Sequence, residues 1–199
     1  MGRPAKTTDS DVLDITYTLA WQRGCDDVTI RDLEVALDLR APSIYRRFHS
    51  RDELLAAAID RYVECVVDVR VHRYLENTRD PLRGIRRFFL SVADTRANLD
   101  VPRGCLLATT SQQSSYAIPA IRDAVNRGVN RVEGALCSAL DRASHAGHHF
   151  ASPHRDIAQA LLQNFLGVLL LMRCGHDHLK PSVTVMLDAI LRPPTPKEQ

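Results

Sequence analysis

The run from Thr29 to Phe48 constrains this chain more tightly than any other stretch. It holds two helix-length segments, 30–36 and 41–48, with only a few residues between them. Thr29 is suited to cap the first, and Asp32 in its first turn complements the helix dipole. Pro42 falls in the first turn of the second, where a missing N–H costs nothing. Ile30, Leu33 and Leu37 recur at helical spacing and can meet Ile44 and Phe48 across the break. A leading segment, 9–23, places Val12, Ile15, Thr16, Leu19 and Ala20 at the same spacing and ends at Gly24 as a C-terminal cap. Val12, Leu19 and Trp21 can then close a small core over the pair.

Two short helices joined by a tight turn, with a third crossing behind, form a helix-turn-helix. The remainder also reads as helical. Ser50-Arg51-Asp52-Glu53 has the pattern of a capping box, opening a long helix to about Glu76. Asp80-Pro81 opens the next, to about Asn98. A shorter helix is expected over 103–114, then one from about Ile118 to Ala146. Helix 154–173 follows the loop GHHFASP, a last helix runs from Lys180-Pro181 to about Leu191, and the tail PPTPKEQ is expected to fray. Gly and Pro sit mainly at the breaks, and no long period-2 alternation argues for a sheet. The expected fold is all-α: a helix-turn-helix domain over 1–50 and a larger helical domain over 51–199.

Several classes are disfavoured. Five cysteines at 25, 65, 105, 137 and 174 form no CxxC pair, which fits a reducing compartment better than a disulfide framework. The start MGRPAKTTDSD has no apolar run of the secretory kind. The most apolar run, FLGVLLLM, is far shorter than the roughly 20 residues that span a bilayer. The expectation is a soluble, cytoplasmic, nucleoid-associated bacterial protein without a membrane partner.

Net charge is only +2 with histidines neutral, so the distribution carries the information. Residues 40–51 contain Arg40, Arg46, Arg47 and Arg51 and no acid, giving +4, whereas residues 1–50 carry seven Lys/Arg against eight Asp/Glu, giving −1. Positive charge is therefore concentrated on the second short helix, whose outward positions are small or cationic: Arg40, Ala41, Ser43, Arg46 and Arg47. Guanidinium groups bind phosphates and guanine edges with paired hydrogen bonds. Thr29 and Ser50-Arg51 offer amides, hydroxyl and charge to a DNA backbone, and the Tyr45 phenol can reach a phosphate while its ring packs.

The stretch 12–54, VLDITYTLAWQRGCDDVTIRDLEVALDLRAPSIYRRFHSRDEL, resembles the DNA-binding domain of the TetR family of transcriptional regulators. Arg23-Gly24, Val28-Thr29, Arg31-Asp32-Leu33, Ala36, Ser43-Ile44-Tyr45, Phe48 and Ser50 through Leu54 carry the match. It implies a homodimer that binds double-stranded palindromic operator DNA and releases it when a small organic effector enters the larger domain. By that resemblance Thr29, Ser43, Tyr45 and Arg51 match common DNA-contacting positions, while Arg40, Ala41, Pro42, Arg46 and Arg47 lie where members vary with their operators. Asp38 stands where the turn usually carries Gly. Ala20 stands where a large aromatic is usual, which changes how Trp21 packs.

The segment PRGCLLATTSQQSSYAIPAIRDAV, 102–125, resembles the RGCLL-type segment of one branch of the same family. Its mixture of polar and apolar side chains suits the wall of an amphiphilic pocket. The expected ligand wall is Cys105, Leu106, Thr109, Thr110, Gln112 and Tyr116, with Tyr62, Phe89 and Gln163 from other helices. Helix 154–173 is apolar almost all round and 181–191 is similar, so both are expected to need covering on several sides. Leu161, Phe165, Val168, Leu169, Met172, Val183, Met186, Leu187 and Ile190 are the expected dimer interface, and the resemblance implies a four-helix bundle of these two helices and their copies.

An alternative sensor draws on other residues. Cys105 starts a helix two residues after Arg103, and both features lower a thiol pKa. His145, His148, His149 and His154, and separately Cys174, His176 and His178, are groups that could ligate a metal. Neither has the spacing of a structural or catalytic zinc site. A metal- or redox-responsive regulator is thus the second reading. No nucleophile elbow or phosphate-cradling glycine loop is present, and the expectation is no enzyme, no cofactor and no resident metal.

Overall fold

The computed structural model describes residues 7–93, 104–176 and 178–193, all of them in helices, turns or loops. In chain order the helices are α1 Asp9–Arg23, α2 Ile30–Leu37, α3 Ala41–Phe48, α4 Arg51–Tyr62, α5 Val69–Val71, α6 Pro81–Ala93, α7 Leu106–Thr110, α8 Pro119–His145, α9 His154–Arg173 and α10 Lys180–Ile190. Two π-helical segments, Val63–Asp68 and His72–Glu76, flank α5, so the helical path from Arg51 to Glu76 is unbroken but irregular. A 3-10 turn, Ser114–Ala117, precedes α8.

Backbone contacts group the chain into two compact units: Met1–Val66 with Cys105–Gly128, and Val67–Gly104 with Val129–Gln199. The expected ends of helices near Asn98 and Arg103, and the tail from Pro194 onward, lie outside the described residues.

In the first unit, local chemistry sets the helix starts. Thr8 and Asp11 form a capping box on α1, and Thr29 and Asp32 form another on α2. Asp replaces the usual Glu in both. At α4 only half of the expected box forms: Ser50 Oγ accepts from the Glu53 amide at 3.0 Å, while the Ser50 amide donates to the Phe48 carbonyl instead. Helix α3 has no cap of its own, and the Glu34 carboxylate of α2 accepts from the Ala41 amide at 2.7 Å. Asp38 closes α2 in the left-handed region at φ 51°, and His49 follows α3 at φ 60°; these are the non-glycine residues with positive φ among those described. Both geometries cost a Cβ-bearing residue some strain.

The core of this unit is Val12, Leu33, Leu37, Ile44, Leu54, Leu55 and Ile59, all buried. Ala20 and Trp21 are both buried, and the indole packs edge-on against Tyr62 with ring centroids 5.0 Å apart. That placement answers the missing aromatic at position 20: α1 and α4 still share an aromatic pair, one residue along.

The second unit is built on a cluster of phenylalanines. Phe165 of α9 lies 4.5 Å from Phe88 and 5.4 Å from Phe89 by ring centroid. Arg86 of α6 bridges to Asp188 of α10 at 2.6 Å. Arg131 of α8 bridges to Asp68 at 2.6 Å and Glu76 at 2.7 Å, and Arg142 donates to the Leu75 carbonyl at the end of the second π segment. Gly84 lets α6 approach that segment: a Cβ there would sit 2.4 Å from the Tyr74 carbonyl oxygen and 2.8 Å from Thr78 Cγ2. Because the obstacle is backbone, Gly84→Ala is expected to destabilise the fold by about 1–3 kcal/mol. Thermal denaturation would read this as a lowered Tm; an unchanged Tm would mean the approach is looser in solution.

Candidate nucleic-acid interface

Helix α3 is held by one buried residue, Ile44, and most of its remaining surface is open. Arg40, Pro42, Tyr45 and Arg46 are exposed and Ala41 and Ser43 half-buried, with Tyr45 41% exposed. Arg40 and Arg46 make no ion pair with any described residue. A helix that carries Arg46, a hydroxyl and a phenol, with Arg40 at its N-cap and no carboxylate of its own, can meet phosphates and base edges.

The other two arginines of the basic run are engaged by the protein itself. Arg47, with only 16% of its side chain exposed, reaches Asp9 at 3.3 Å and donates to the Thr7 carbonyl at 3.1 Å. Arg51, 26% exposed, donates through Nε to the Val28 carbonyl at 2.7 Å and through Nη2 to the carbonyls of Cys25 and Asp26, while Nη1 bridges to Asp52. Their charge and the family resemblance both point to the DNA surface, and in this structure each guanidinium is also engaged within the chain. Of the four arginines in residues 40–51, Arg40 and Arg46 are the two without an ion pair to a described residue. Arg51 has a different use: its planar fork collects carbonyls of the α1–α2 turn, a geometry that lysine lacks.

Thr29 is exposed at the start of α2, its hydroxyl engaged with Asp32, whose carboxyl is held below its usual range chiefly by that hydrogen bond. The turn leading to Thr29 meets residues 110–115. The Cys25 amide donates to Gln113 Oε1 at 2.8 Å, and Cys25 Sγ lies 3.3 Å from Thr110 Oγ1. Asp26 Oδ2 accepts from the Ser114 amide at 2.9 Å and the Ser114 hydroxyl at 2.8 Å, and Oδ1 accepts from the Ser115 amide at 2.8 Å. Desolvation pushes the Asp26 carboxyl up, but these donors outweigh it and bring it to about 2.

With this geometry in view, family models match the chain in two places. Residues 12–58 match "Bacterial regulatory proteins, tetR family", and residues 81–181 match "Tetracyclin repressor-like, C-terminal domain". The second match alone spans half of the chain. The chain belongs to the TetR family.

Among curated proteins, the HTH-type transcriptional repressor ComR of Escherichia coli (strain K12) is 28% identical over 107 residues, covering 53% of this chain and 50% of that protein. The match thus spans about half the length of that relative. Among solved structures, reduced E. coli NemR superposes with a TM-score of 0.82 at 18% identity, covering 95% of this chain and 100% of that one. A cysteine mutant of the TetR regulator CifR, complexed with 26-bp operator DNA, gives 0.80 at 18% identity over 96% and 98%. A TetR regulator from Legionella pneumophila gives 0.77 at 17% identity over 96% and 100%. At these identities the likeness is one of fold.

In this TetR-family chain the expected ligand-wall residues fall in both units. Tyr62, Cys105, Leu106 and Thr110 are buried in the first, with Thr109 and Tyr116 half-buried and Gln112 exposed. Gly128 of α8 brings two of these elements close, since a Cβ there would lie 2.7 Å from both Leu107 Cδ1 and Val63 Cγ2. Tyr116 donates to Asn126 at 3.0 Å, and Gln112 donates to the Ala108 carbonyl at 3.0 Å. Phe89 and Gln163 belong to the second unit, the former a ring of the phenylalanine cluster and the latter exposed on α9.

A single chain covers more of α9 and α10 than their sequence pattern suggests. Leu161, Phe165, Val168, Leu169, Met172, Val183 and Leu187 are all buried within one copy, and Met186 and Ile190 are half-buried. What stays open is Leu170, Leu171 and Val185, beside a groove lined by Gln163, Asn164, Gly167, Ser182 and Met186.

The histidines are dispersed among local partners. His154 Nδ1 lies 2.5 Å from Asp141 Oδ1, His145 Nδ1 lies 2.7 Å from the Asp141 carbonyl, and His148 Nε2 lies 3.2 Å from the Leu191 carbonyl. Among the described residues no group of three His, Cys, Asp or Glu is placed to hold a metal ion. Asp177, within the second histidine group, and Arg103, invoked to activate Cys105, lie outside the described residues. No helix among the described residues is long and apolar enough to cross a membrane.

Three contributors escaped the sequence reading. Glu34 as a cap for α3 left no local signal, because its partner lies beyond a turn. Asp26 and Ser114 are 88 residues apart, so neither carries any pattern that names the other.

Proposed function

We propose that this chain is a transcriptional repressor that binds a palindromic operator as a homodimer and releases it on binding a small organic effector. It acts as a regulator rather than an enzyme. The observation that carries the reading is α3: one buried anchor, Ile44, and an outward surface of Arg40, Ser43, Tyr45 and Arg46 without an acid. A shared fold with a regulator complexed with operator DNA supports it, as does similarity over half its length to a repressor. The reader is residues 1–50, and residues 51–199 carry the effector and the dimer. Thr29, Ala41 and Pro42 lie at its edges as further contacts. The effector meets Tyr62, Cys105, Leu106, Thr109 and Thr110, an uncharged wall with three hydroxyls that suits a neutral amphiphile better than an ion.

Selection of duplexes from a random pool by the purified protein tests this directly. A palindromic consensus should emerge, with half-sites about one helical turn apart or slightly more. Tyr45→Ala should weaken binding to that duplex by about tenfold, equivalent to roughly 1.4 kcal/mol, with the Tm unchanged. Arg46→Ala should weaken binding to all duplexes alike and lower the slope of log affinity against log salt by about 1. Wild-type, salt-dependent affinity in both variants would remove α3 as the reader.

A further inference from the structure

The turn that launches α2 is gripped from two sides. Arg51, at the head of α4, holds the carbonyls of Cys25, Asp26 and Val28. Residues 110–115 hold the amide of Cys25 and both oxygens of Asp26. Even Gly24 takes part: with φ at 97° it leaves room for Gln113, whose Nε2 would lie 2.0 Å from a Cβ at that position. The second grip differs from core packing in kind. It is made of hydrogen bonds, with Asp26 and Ser114 exposed and Cys25, Thr110 and Ser115 buried beside them. The bonds at the exposed Asp26 and Ser114 exchange for water at small net cost, so the contact can loosen from that edge.

Three residues beyond Asp26 stands Thr29, the cap of α2, and Glu34 of α2 in turn caps α3. From these observations we propose that Asp26 is a positioning residue for DNA binding. Its carboxylate, with the Cys25–Gln113 bond, docks the α1–α2 turn on residues 110–115 and so fixes the start of α2 and the α3 it supports. The docked state is the DNA-competent one, because only then is the turn before the reader held from both sides. Thr110 belongs both to the dock and, with Leu106 and Thr109, to the proposed effector wall, so displacement of that wall is transmitted to the reader by breaking the dock. This rests on the reading of α3 as the DNA reader and of α7 as effector wall.

The test needs no effector. Asp26→Ala should lower affinity for the selected duplex by about tenfold with its circular dichroism intact, and Asp26→Asn, which keeps acceptor capacity on one oxygen, should lose less. Thr110→Cys puts a second sulfur near Cys25 Sγ, where the native hydroxyl lies 3.3 Å away. Treatment with glutathione disulfide can then join the pair: two thiols give up two protons and two electrons, and glutathione disulfide becomes two glutathiones. In the Asp26→Ala/Thr110→Cys variant that bond should restore affinity to within about threefold of wild type, and dithiothreitol should reverse the gain. Wild-type affinity in Asp26→Ala overturns the proposal. So does failure of that disulfide, once mass spectrometry confirms it, to restore affinity.

If wild-type protein selects no duplex, the DNA reading fails by itself and the dock is read by hydrogen exchange. The amides of Cys25, Ser114 and Ser115 should then exchange at least tenfold faster in Asp26→Ala than in wild type. Equal rates overturn the dock.

Discussion

Arg51→Ala is expected to lower the Tm by roughly 5–10 °C and to weaken DNA binding as a consequence. The side chain satisfies backbone carbonyls of the α1–α2 turn, and charged donors to such groups contribute about 1.5–3 kcal/mol. The Asp52 bridge adds little, since that carboxylate is more than a third exposed and solvent screens the pair. A loss near 2–3 kcal/mol in a domain of this size corresponds to the stated shift. Arg51→Lys discriminates between the two uses of the residue. If Arg51 served mainly as a phosphate contact, lysine would keep most of the affinity and alanine would leave the Tm untouched. If it serves as the clasp seen here, lysine should lose nearly as much Tm as alanine, because an ammonium cannot span the same carbonyls. Scanning calorimetry of both variants beside Arg46→Ala, which should melt as wild type, decides the matter.

Arg51 also shows what a sequence can and cannot reveal in this fold. The helices were legible because their signals are local: Thr29 three residues before Asp32, Pro42 just inside α3, Gly24 just past α1. Expected and observed limits coincide for α1, α3 and α9. The destination of a long side chain is a different kind of fact. Arg40, Arg46, Arg47 and Arg51 form one basic run in sequence, but Arg47 folds onto Asp9 and Arg51 onto a turn 23 to 26 residues away. Composition registers their charge and says nothing of their partners. The π-helical segments were equally hidden, since Val63–Asp68 and His72–Glu76 keep the helical pattern while shifting its phase.

The same distinction governs the two long terminal helices, and it yields the other large expected effect. An apolar helix needs covering, but its pattern does not say whether the cover comes from its own chain or from a copy. Phe165 is stacked on Phe88 and Phe89 in one chain, so Phe165→Glu would bury an unpaired carboxylate among rings. The expected cost is about 4 kcal/mol or more, enough to unfold the unit outright. Far-ultraviolet circular dichroism should show lost helix, and any change in association would be secondary. Leu171 and Val185, 42% and 70% exposed in a single chain, report on something else. Leu171→Glu and Val185→Glu remove nothing from the core, so the Tm of dilute protein should hold within about 1–2 °C while sedimentation moves from dimer to monomer. Charge placed on both copies of a two-fold interface meets its own image, which doubles the penalty of each substitution. A dimer that persists in the Leu171→Glu, Val185→Glu double variant would move the interface away from α9 and α10. Loss of helix in that double variant would instead show that these side chains are core in solution.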